Sequence, residues 1–531
     1  MFSLSRAARR KTDEAGQAGV AGKPGGTGTA GEIRVRSAAG RWVLVASILG
    51  SALAGIDATV VNIALPAIGR DFGAGFGTLQ WAVTAYTVAL ASLILLGGAL
   101  GDRYGRRRVF NVGVLWFAAA SLLCGLAPSS GLLLAARALQ GVGGALLMPG
   151  SLAMIQASFH PEDRARAIGS WSAFGGVATA IGPFLGGWLV QAASWRWVFL
   201  INAPLAVAVV LISRRHVPET RDPAATGRID VLGAALSCVG LAGVTYAIIA
   251  APEHGAGSPT VLVSGALGIA ALAGFLVAEA RQAHPMLPLS MFSSRQFSAA
   301  NGVTFAVYGA FGGVFFLLAV QLQVVSGFSP IAAGTAMLPI TIMMLLLSAR
   351  FGRLSQRIGP RLPMTIGPLI CAAAILLMFR IGPDADYVQD VLPAVVVLGF
   401  GLAVLVAPLT ATVLDAVGAE HAGVASGVNN AVARAAGLIA VAALPAVTGL
   451  TGRSYDDPEA FSHGFHQSLV IAAALLAAGA ALAAITIRTP PPPPAEAPAA
   501  PQEEGEEEQP APRMHCAVDG PPLTARKCNI G

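Results

Sequence analysis

The stretch of sequence that decides the fold occurs twice. Residues 98–108 read GALGDRYGRRR, and residues 352–361 read GRLSQRIGPR. Aligned at an offset of 254 residues, both fit the pattern G-x-L-x-(D/Q)-R-x-G-x-R. Each copy lies between two apolar runs, so each is expected to join the second and third helix of a six-helix block. Parallel repetition of a six-span half is a design of secondary transporters, whose substrate site lies between the halves near the bilayer midplane.

The composition of the whole chain is that of a membrane protein. Only 12% of the 531 residues are Asp, Glu, Lys or Arg, whereas 55% are hydrophobic. Soluble domains contain about 25% charged residues, so the charge present is too little to coat several soluble domains. The sequence therefore predicts an all-α polytopic membrane protein with two six-helix halves and two additional linking helices.

Fourteen apolar runs approach or exceed the roughly 20 residues that a membrane helix needs. They are 42–66, 78–100, 109–127, 132–157, 167–190, 197–212, 231–251, 261–279, 297–324, 331–349, 363–380, 391–414, 423–449 and 467–487. The predicted domains are a basic arm (1–41), an N-terminal six-helix half (42–212), a linker with two extra membrane helices (213–280), a C-terminal six-helix half (281–488) and a disordered tail rich in Pro and Glu (489–531).

The distribution of basic residues supports this layout. With a cytoplasmic N-terminus, 28 of the 34 Lys and Arg residues fall on the cytoplasmic side and four fall outside, as the positive-inside rule requires. Both termini are then cytoplasmic, in a multi-pass protein of the cell membrane. The net charge of +6 comes from basic residues that set the membrane topology, so no nucleic-acid partner is expected.

Other classes of function lack their motifs. No G-x-x-x-x-G-K-[ST] phosphate loop and no H-E-x-x-H pair occurs in the sequence, which argues against a nucleotide-driven pump and a metalloprotease. The five cysteines show no short spacing, so neither a disulfide framework nor a zinc site is predicted. We expect no enzyme activity, no cofactor and no metal, with the proton as coupling ion.

Four motifs together resemble those of the major facilitator superfamily. Residues 98–108 are similar to its signature loop, and residues 137–145 (RALQGVGGA) to its arginine motif. Residues 55–66 (GIDATVVNIALP) resemble the span-one motif of the fourteen-helix drug:proton antiporters, and residues 182–187 (GPFLGG) part of the antiporter motif associated with export. The resemblance implies a cytoplasmic gating loop formed by Gly98, Asp102, Arg103, Gly105 and Arg107, in which Asp102 and Arg103 form a latch.

The sequence departs from the family pattern at two positions. Ala178 stands where the export motif usually opens with Gly, which weakens the argument for close helix contact there. Gln321 stands where many relatives have a Tyr, which affects substrate preference.

Two charged residues inside predicted spans are the best candidates for coupling. A carboxylate in hydrocarbon is costly and is therefore a functional candidate; burial favours the neutral form of Asp57, which is predicted to exchange a proton and to bind a cationic substrate in competition with it. Arg137 keeps its charge at any accessible pH, and the resemblance implies a part in proton coupling. The alternatives are that Asp57 organises the packing of Thr59 and Asn62, and that Arg137 snorkels to the outer surface.

Further residues are predicted to form a hinge and a substrate cavity. Small residues around a helix-kinking proline predict a hinge or a proton-tight seal, formed by Gly182, Pro183, Gly186 and Gly187. Polar and aromatic groups suit an amphipathic ligand, with packing as the alternative for each; they are Asn62, Thr84, Tyr86, Gln321, Asn430 and Arg434.

These patterns predict a proton-coupled antiporter that exports amphipathic small molecules by alternating access. Spans after residue 280 show no clear interior carboxylate, so a monovalent cationic or neutral substrate is favoured over a dication. Arg434 leaves an anionic metabolite open. The remaining alternatives are a proton symporter for uptake and a transport-inactive membrane receptor. The protein is expected to act as a monomer in the lipid bilayer.

Overall fold

The computed structural model describes residues 33–222, 229–282, 285–417, 422–450 and 457–488. Within these ranges, fourteen helices are long and apolar enough to cross a membrane, which confirms the predicted number. The predicted tail at 489–531 and most of the basic arm lie outside the described residues.

We number the membrane helices α1 to α14 in chain order. Their bounds are Ala38–Phe72, Phe76–Tyr104, Arg106–Gly125, Ser130–Ser158, Pro161–Ala192, Trp197–His216, Val231–His254, Pro259–Arg281, Arg295–Val325, Pro330–Ile358, Arg361–Arg380, Tyr387–Asp415, Gly423–Val447 and Pro458–Thr486.

Most helices extend beyond the apolar runs that predicted them, as α1 illustrates. Its 35 residues would measure about 52 Å at 1.5 Å per residue, whereas the hydrocarbon layer is only about 30 Å thick. The Ser37 side chain caps the helix by accepting a hydrogen bond from the Gly40 amide. At the other end, Gly73 has φ 58°, the left-handed conformation that glycine adopts at helix C-termini. Local capping therefore sets the ends of α1.

Alternate helix connections meet on opposite faces of the bundle. On one face, the Arg106 amide at the start of α3 donates to the Thr220 carbonyl in the segment after α6, at 2.9 Å. On the other face, the Arg196 guanidinium before α6 donates to the Asp71 carboxylate at the end of α1, at 2.7 Å. We call the first face the basic side, because it carries residues 102–108, and the second the far side.

The two linking helices α7 and α8 pack against each other through glycines. A Cβ atom on Gly240 would lie 2.6 Å from the Leu272 side chain, and one on Gly268 would lie 2.6 Å from the Val244 nitrogen. Small residues allow membrane helices to approach this closely. The whole bundle has the predicted architecture, with two six-helix halves and two linking helices.

The two halves are joined at the far side. Gln80 of α2 donates to the Val441 carbonyl of α13 at 2.8 Å, and Gln323 of α9 donates to the Ile63 carbonyl of α1 at 3.0 Å. Edge-to-face aromatic contacts cross between the halves at the same end of the bundle; the rings belong to Phe76, Phe316 and Phe461.

Candidate functional site

A fully buried ion pair lies in the N-terminal half. Asp57 is near the middle of α1, and Arg137 is about two helical turns into α4. The Arg137 Nη1 atom is 2.6 Å from Asp57 Oδ2, and the two side chains are 1% and 0% exposed. Removing two charges from water is costly and is offset only by good geometry and further hydrogen bonds, so the surroundings of this pair decide what it can do.

Uncharged partners complete the coordination of the Asp57 carboxylate. Gln140, one turn after Arg137, donates from Nε2 to Asp57 Oδ1 at 2.7 Å and accepts from Arg137 Nη1 at 2.6 Å. Asn202 of α6 donates from Nδ2 to the same Oδ1 at 3.3 Å. The Ser121 hydroxyl of α3 accepts from both Gln140 and Asn202. We call these five residues the Asp57 cluster; they join α1, α3, α4 and α6.

The Arg137 guanidinium is held on its remaining sides as well. Its Nε donates to the Ala82 carbonyl of α2 at 2.9 Å, and it lies over the Tyr86 ring, 4.6 Å from the centroid. A cation over an aromatic face is stabilised by the ring quadrupole, more so when desolvated. Snorkelling of Arg137 to the outer surface is therefore excluded. Asp57 accepts its hydrogen bonds from Arg137, Gln140 and Asn202, whereas Thr59 donates to the Thr179 carbonyl. The hydrogen bonds of Asp57 therefore do not organise the packing of Thr59.

Sequence reasoning selected Asp57 and Arg137 but not the rest of the cluster. A signal existed for Gln140, which belongs to the arginine motif and is three residues from Arg137. Asn202 and Ser121 are polar residues within predicted spans. Because a polar side chain is costly in lipid, such residues generally indicate buried interactions within the protein. Nothing in one sequence pairs them with Asp57.

The signature loop contains an ion pair across the α2–α3 turn. Asp102 Oδ1 lies 2.8 Å from both Nε and Nη2 of Arg106, four residues on. The guanidinium of Arg103, which was predicted to form the latch together with Asp102, lies 5.6 Å from the Tyr104 ring centroid. Asp102 therefore has a neighbouring guanidinium as its partner, and the gating role of Asp102 and Arg103 stays a prediction.

Glu219, which sequence reasoning did not select, anchors this loop. Its carboxylate accepts from the Arg107 amide at 3.1 Å and pairs with the Arg107 and Arg108 side chains at 3.6 Å. Gly105 has φ 113°, and a Cβ atom there would lie 2.6 Å from the Glu219 carboxylate, so glycine is required twice over. A Cβ atom on Gly98 would lie 3.8 Å from the Pro149 side chain of α4, an ordinary van der Waals distance. The Glu219 contacts therefore join the signature loop to the segment that follows α6.

The predicted hinge residues lie where α5 meets both halves. Gly186 faces α1, where its Cβ would lie 3.2 Å from the Val60 Cα, and Gly182 meets the Thr59 hydroxyl on the same helix. Gly187 faces α10 of the other half, where its Cβ would lie 2.7 Å from the Ile331 Cα. The Pro183 carbonyl in turn blocks space for a side chain at Gly334 of α10.

Packing along α5 is uneven. At Gly175 and Gly176, closer to the basic side, an added Cβ would meet no atom within 4 Å. The motif therefore forms a tight contact between halves at the far side, whereas α5 is loosely packed at these two glycines. This pattern agrees with a pivot at the far side.

Arg434 and Tyr86 connect the Asp57 cluster with the C-terminal half. Arg434 of α13 is half-buried, and its Nη2 is 4.0 Å from the Met148 sulfur of α4. It lies near Tyr86 and Tyr308. The Tyr86 hydroxyl is buried without a hydrogen-bond partner. Asn430, one turn before Arg434, is exposed and donates to its own helix.

Two predicted cavity residues occupy closed positions. Thr84 is fully buried and its hydroxyl donates to the Gln80 carbonyl of the same helix. Gln321 is fully buried and donates to the Ile381 carbonyl at 3.0 Å. Both side chains thus occupy packed positions in this structure, the alternative that was given for them. Asn62 is half-buried, and its Oδ1 is a buried acceptor without a donor.

Two six-helix halves joined at the far side, with a charged cluster buried in one of them, define a membrane transporter. Residues 47–442 match the Major Facilitator Superfamily, and the chain belongs to this superfamily. It is a transporter and not an enzyme.

Curated relatives are resistance and export proteins. The chain is 38% identical to the puromycin resistance protein of Streptomyces alboniger over 420 residues, covering 77% of this chain and 82% of the relative. It is 34% identical to the methylenomycin A resistance protein of Bacillus subtilis (strain 168), covering 79% and 90%. The tetracenomycin C resistance and export protein of Streptomyces glaucescens is 35% identical, with coverage of 76% and 74%.

Solved structures share the fold at low identity. A peptide transporter POT in complex with sulfate aligns with a TM-score of 0.61 at 15% identity, covering 85% of this chain and 96% of that one. A bacterial homologue of the human lysosomal transporter Spinster, in an inward-facing and unoccupied conformation, aligns with a TM-score of 0.57 at 18% identity, covering 85% and 97%. These likenesses support the fold alone.

Proposed function

We propose that the protein is a proton-coupled antiporter that exports amphipathic small molecules across the cytoplasmic membrane, with its basic side and both termini in the cytoplasm. The observation that carries the proposal is the buried Asp57–Arg137 pair. The names of the relatives, which include resistance to puromycin and export of tetracenomycin C, support export over uptake.

Protonation of Asp57 is the coupling step in this proposal. A proton on the carboxyl removes its charge and with it the attraction to Arg137. The guanidinium then keeps the Gln140 and Ala82 oxygens as acceptors, but its charge lacks a counter-charge within the cluster. Because the pair joins α1 to α4, protonation changes the helix packing of the N-terminal half.

The substrate is proposed to act on Asp57 indirectly. Both Asp57 oxygens accept hydrogen bonds from protein side chains, so direct contact would require the cluster to open. Tyr86 lies beneath Arg137 and near Arg434, which gives a route from the space between the halves to the pair. A substrate that displaces these groups would favour one charge state of Asp57, and the proton would reciprocally alter substrate affinity.

The groups near Arg434 favour a particular class of substrate. Met148, Tyr86 and Tyr308 offer thioether and aromatic surfaces, which suit an amphipathic ligand. Arg434 forms no ion pair among the residues that the structure describes. Its charge disfavours a dication nearby and suits a neutral or monocationic substrate that presents oxygen acceptors to it.

Release to the outside requires the far side to open. In the proposed cycle, the hydrogen bonds from Gln80 to Val441 and from Gln323 to Ile63 break. The contact of Pro183 with Gly334 marks where α5 and α10 would pivot. Closure of the basic side completes alternating access.

Proteoliposomes with an imposed pH gradient test the proposal. Puromycin and a monocationic fluorescent dye are added as substrates, with the transporter orientation determined by protease accessibility. An antiporter accumulates substrate in the compartment from which protons leave. Accumulation in the direction of proton flow would establish a symporter. Absence of flux for every substrate, in correctly folded protein, would favour the receptor alternative.

A further inference from the structure

A pair of buried carboxyl groups lies at the basic-side end of the linking helices, outside the Asp57 cluster. Asp230 immediately precedes α7, and Glu279 is in the last turn of α8. The two residues are 6% and 2% exposed. Neither takes part in an ion pair within the described residues, so no cation of the described chain offsets their charge at contact distance.

One oxygen of each carboxyl group has protein donors. Asp230 Oδ1 accepts from the Gly233 amide at 2.7 Å and from Gln282 Nε2 at 2.9 Å. Glu279 Oε2 accepts from the Leu287 amide at 2.9 Å. Gln282 and Leu287 belong to the connector between α8 and α9, which we define as residues 282–294. The two acids thus hold the connector to the linking helices.

The other two carboxylate oxygens are buried and have no donor among the residues that the structure describes. They are Asp230 Oδ2 and Glu279 Oε1. The Asp230 and Glu279 side chains lie within hydrogen-bonding range of each other, and a Cβ atom on Gly233 would contact both unpartnered oxygens. The orphaned acceptors therefore face the same small space.

A single proton between the two carboxyl groups would let their unpartnered oxygens hydrogen-bond to each other. Ionised carboxylates only accept hydrogen bonds, and two like charges in contact disfavour double ionisation. One proton supplies the missing donor and removes the repulsion. We propose that Asp230 and Glu279 bind one proton between them, and that this shared proton fastens the connector to the linking helices.

Loss of the proton would loosen the connector. Two negative charges would then face each other while Glu279 holds Leu287 and Asp230 holds Gln282. Among the residues that the structure describes, the charged groups at the site are Asp230 at the start of α7, Glu279 of α8, and Arg281 two residues later, which is exposed. Arg228 and His284 lie outside the described residues. Since these groups lie on the linking helices, the site responds to pH on the basic side without being part of the Asp57 cluster.

Hydrogen exchange across a pH series tests the shared proton in the full-length protein in lipid nanodiscs. Exchange of peptides that contain Leu287 is corrected for the intrinsic pH dependence of amide exchange. In the wild type, protection should fall as pH rises past the release of the proton, approaching tenfold per pH unit because one proton is lost. The carbonyl stretch of a protonated carboxyl group, measured by infrared spectroscopy, should disappear over the same range.

Two isosteric variants supply a donor that does not titrate. In Glu279→Gln, the amide nitrogen can donate to Asp230 Oδ2; in Asp230→Asn, it can donate to Glu279 Oε1 while the retained oxygen still accepts from Gly233. Both variants should keep connector protection with a flat pH profile. Glu253→Gln, an exposed position at the other end of α7, should retain the wild-type profile.

Three results would overturn the proposal. One is a flat wild-type profile with no protonated carboxyl band. Another is an unchanged pH slope in both isosteric variants, and the third is protection set by the sodium concentration at constant pH, which would indicate a bound cation. Because two isosteric variants are measured, the proposal can still be tested if one of them misfolds.

Discussion

The Arg137 guanidinium and the Asp57 carboxylate form the only ion pair, among the residues that the structure describes, in which both side chains are fully buried. In each of the other pairs at least one side chain is 27% or more exposed. Exposed ion pairs contribute at most about 1 kcal/mol, whereas breaking a buried pair costs about 3–5 kcal/mol. Transport and stability are therefore both expected to respond to changes at this pair.

Asp57→Asn should abolish proton-driven transport. Asparagine cannot ionise, and the variant leaves Arg137 buried without its counter-charge, which should lower the free energy of unfolding by up to about 3–5 kcal/mol. Dye efflux and thermal unfolding measure the two effects. The double variant Asp57→Asn with Arg137→Gln removes the lone charge and should recover stability without transport. Undiminished proton-driven transport in Asp57→Asn would remove Asp57 from the mechanism.

Asn202→Leu should shift the pH profile of transport to more alkaline values. The Asn202 amide donates to the charged Asp57 carboxylate, and losing that bond makes the protonated form relatively more favourable. A hydrogen bond to a charged group contributes about 1.5 kcal/mol or more, but at 3.3 Å a shift of at most about one pH unit is expected. Transport rates over a pH series provide the measurement, with exposed Gln389→Leu as control. An acid shift would contradict the assigned donor role.

Glu219→Gln should slow transport about fivefold, the low end of typical coupling effects. The substitution removes the charge that pairs with Arg107 and Arg108 while nearly preserving side-chain shape. Glu162→Gln is the matched control, because Glu162 also pairs with an arginine but is 72% exposed. Initial transport rates at equal amounts of folded protein test this. Equal rates for both variants would show that the Glu219 pairs are dispensable.

Gly187→Leu should favour opening of the far side. A leucine cannot fit against Pro330 and Ile331 while that side is closed. A cysteine introduced by Ile331→Cys should then react faster with a membrane-impermeant maleimide. Gly175→Leu, where the added Cβ meets open space, should leave the labelling rate unchanged. Equal labelling of the two glycine variants would contradict the proposed pivot.

The sequence predicted the helices well because membrane spans depend on apolar length. All fourteen were found, and the errors lie at their ends, where polar residues such as Arg70 and Asp71 continue or border the helix. Asp57 and Arg137 could be selected because charges stand out in apolar runs. Their contact could not be, since 80 residues separate them and one sequence contains no pairing signal.

Other parts of the site were missed for identifiable physical reasons. Glu219 is an acid in a basic segment and resembles an ordinary solvated residue, although it anchors the signature loop. Thr84 and Gln321 were expected in the cavity because they are polar. The Thr84 hydroxyl and the Gln321 amide nitrogen donate to backbone carbonyls instead, while Gln321 Oε1 has no donor among the described residues. Residue type and helical position do not reveal these arrangements.

The most direct test of the central claim is the number of protons released when substrate binds to the purified transporter in weakly buffered detergent solution. Puromycin is titrated into the wild type and into the double variant with Asp57→Asn and Arg137→Gln, at a pH where wild-type transport is half-maximal. If substrate and proton are coupled through the Asp57–Arg137 pair, the wild type releases protons and the double variant, although it binds puromycin, releases none. Equal proton release by both proteins, or substrate binding by the wild type without any release, would contradict it.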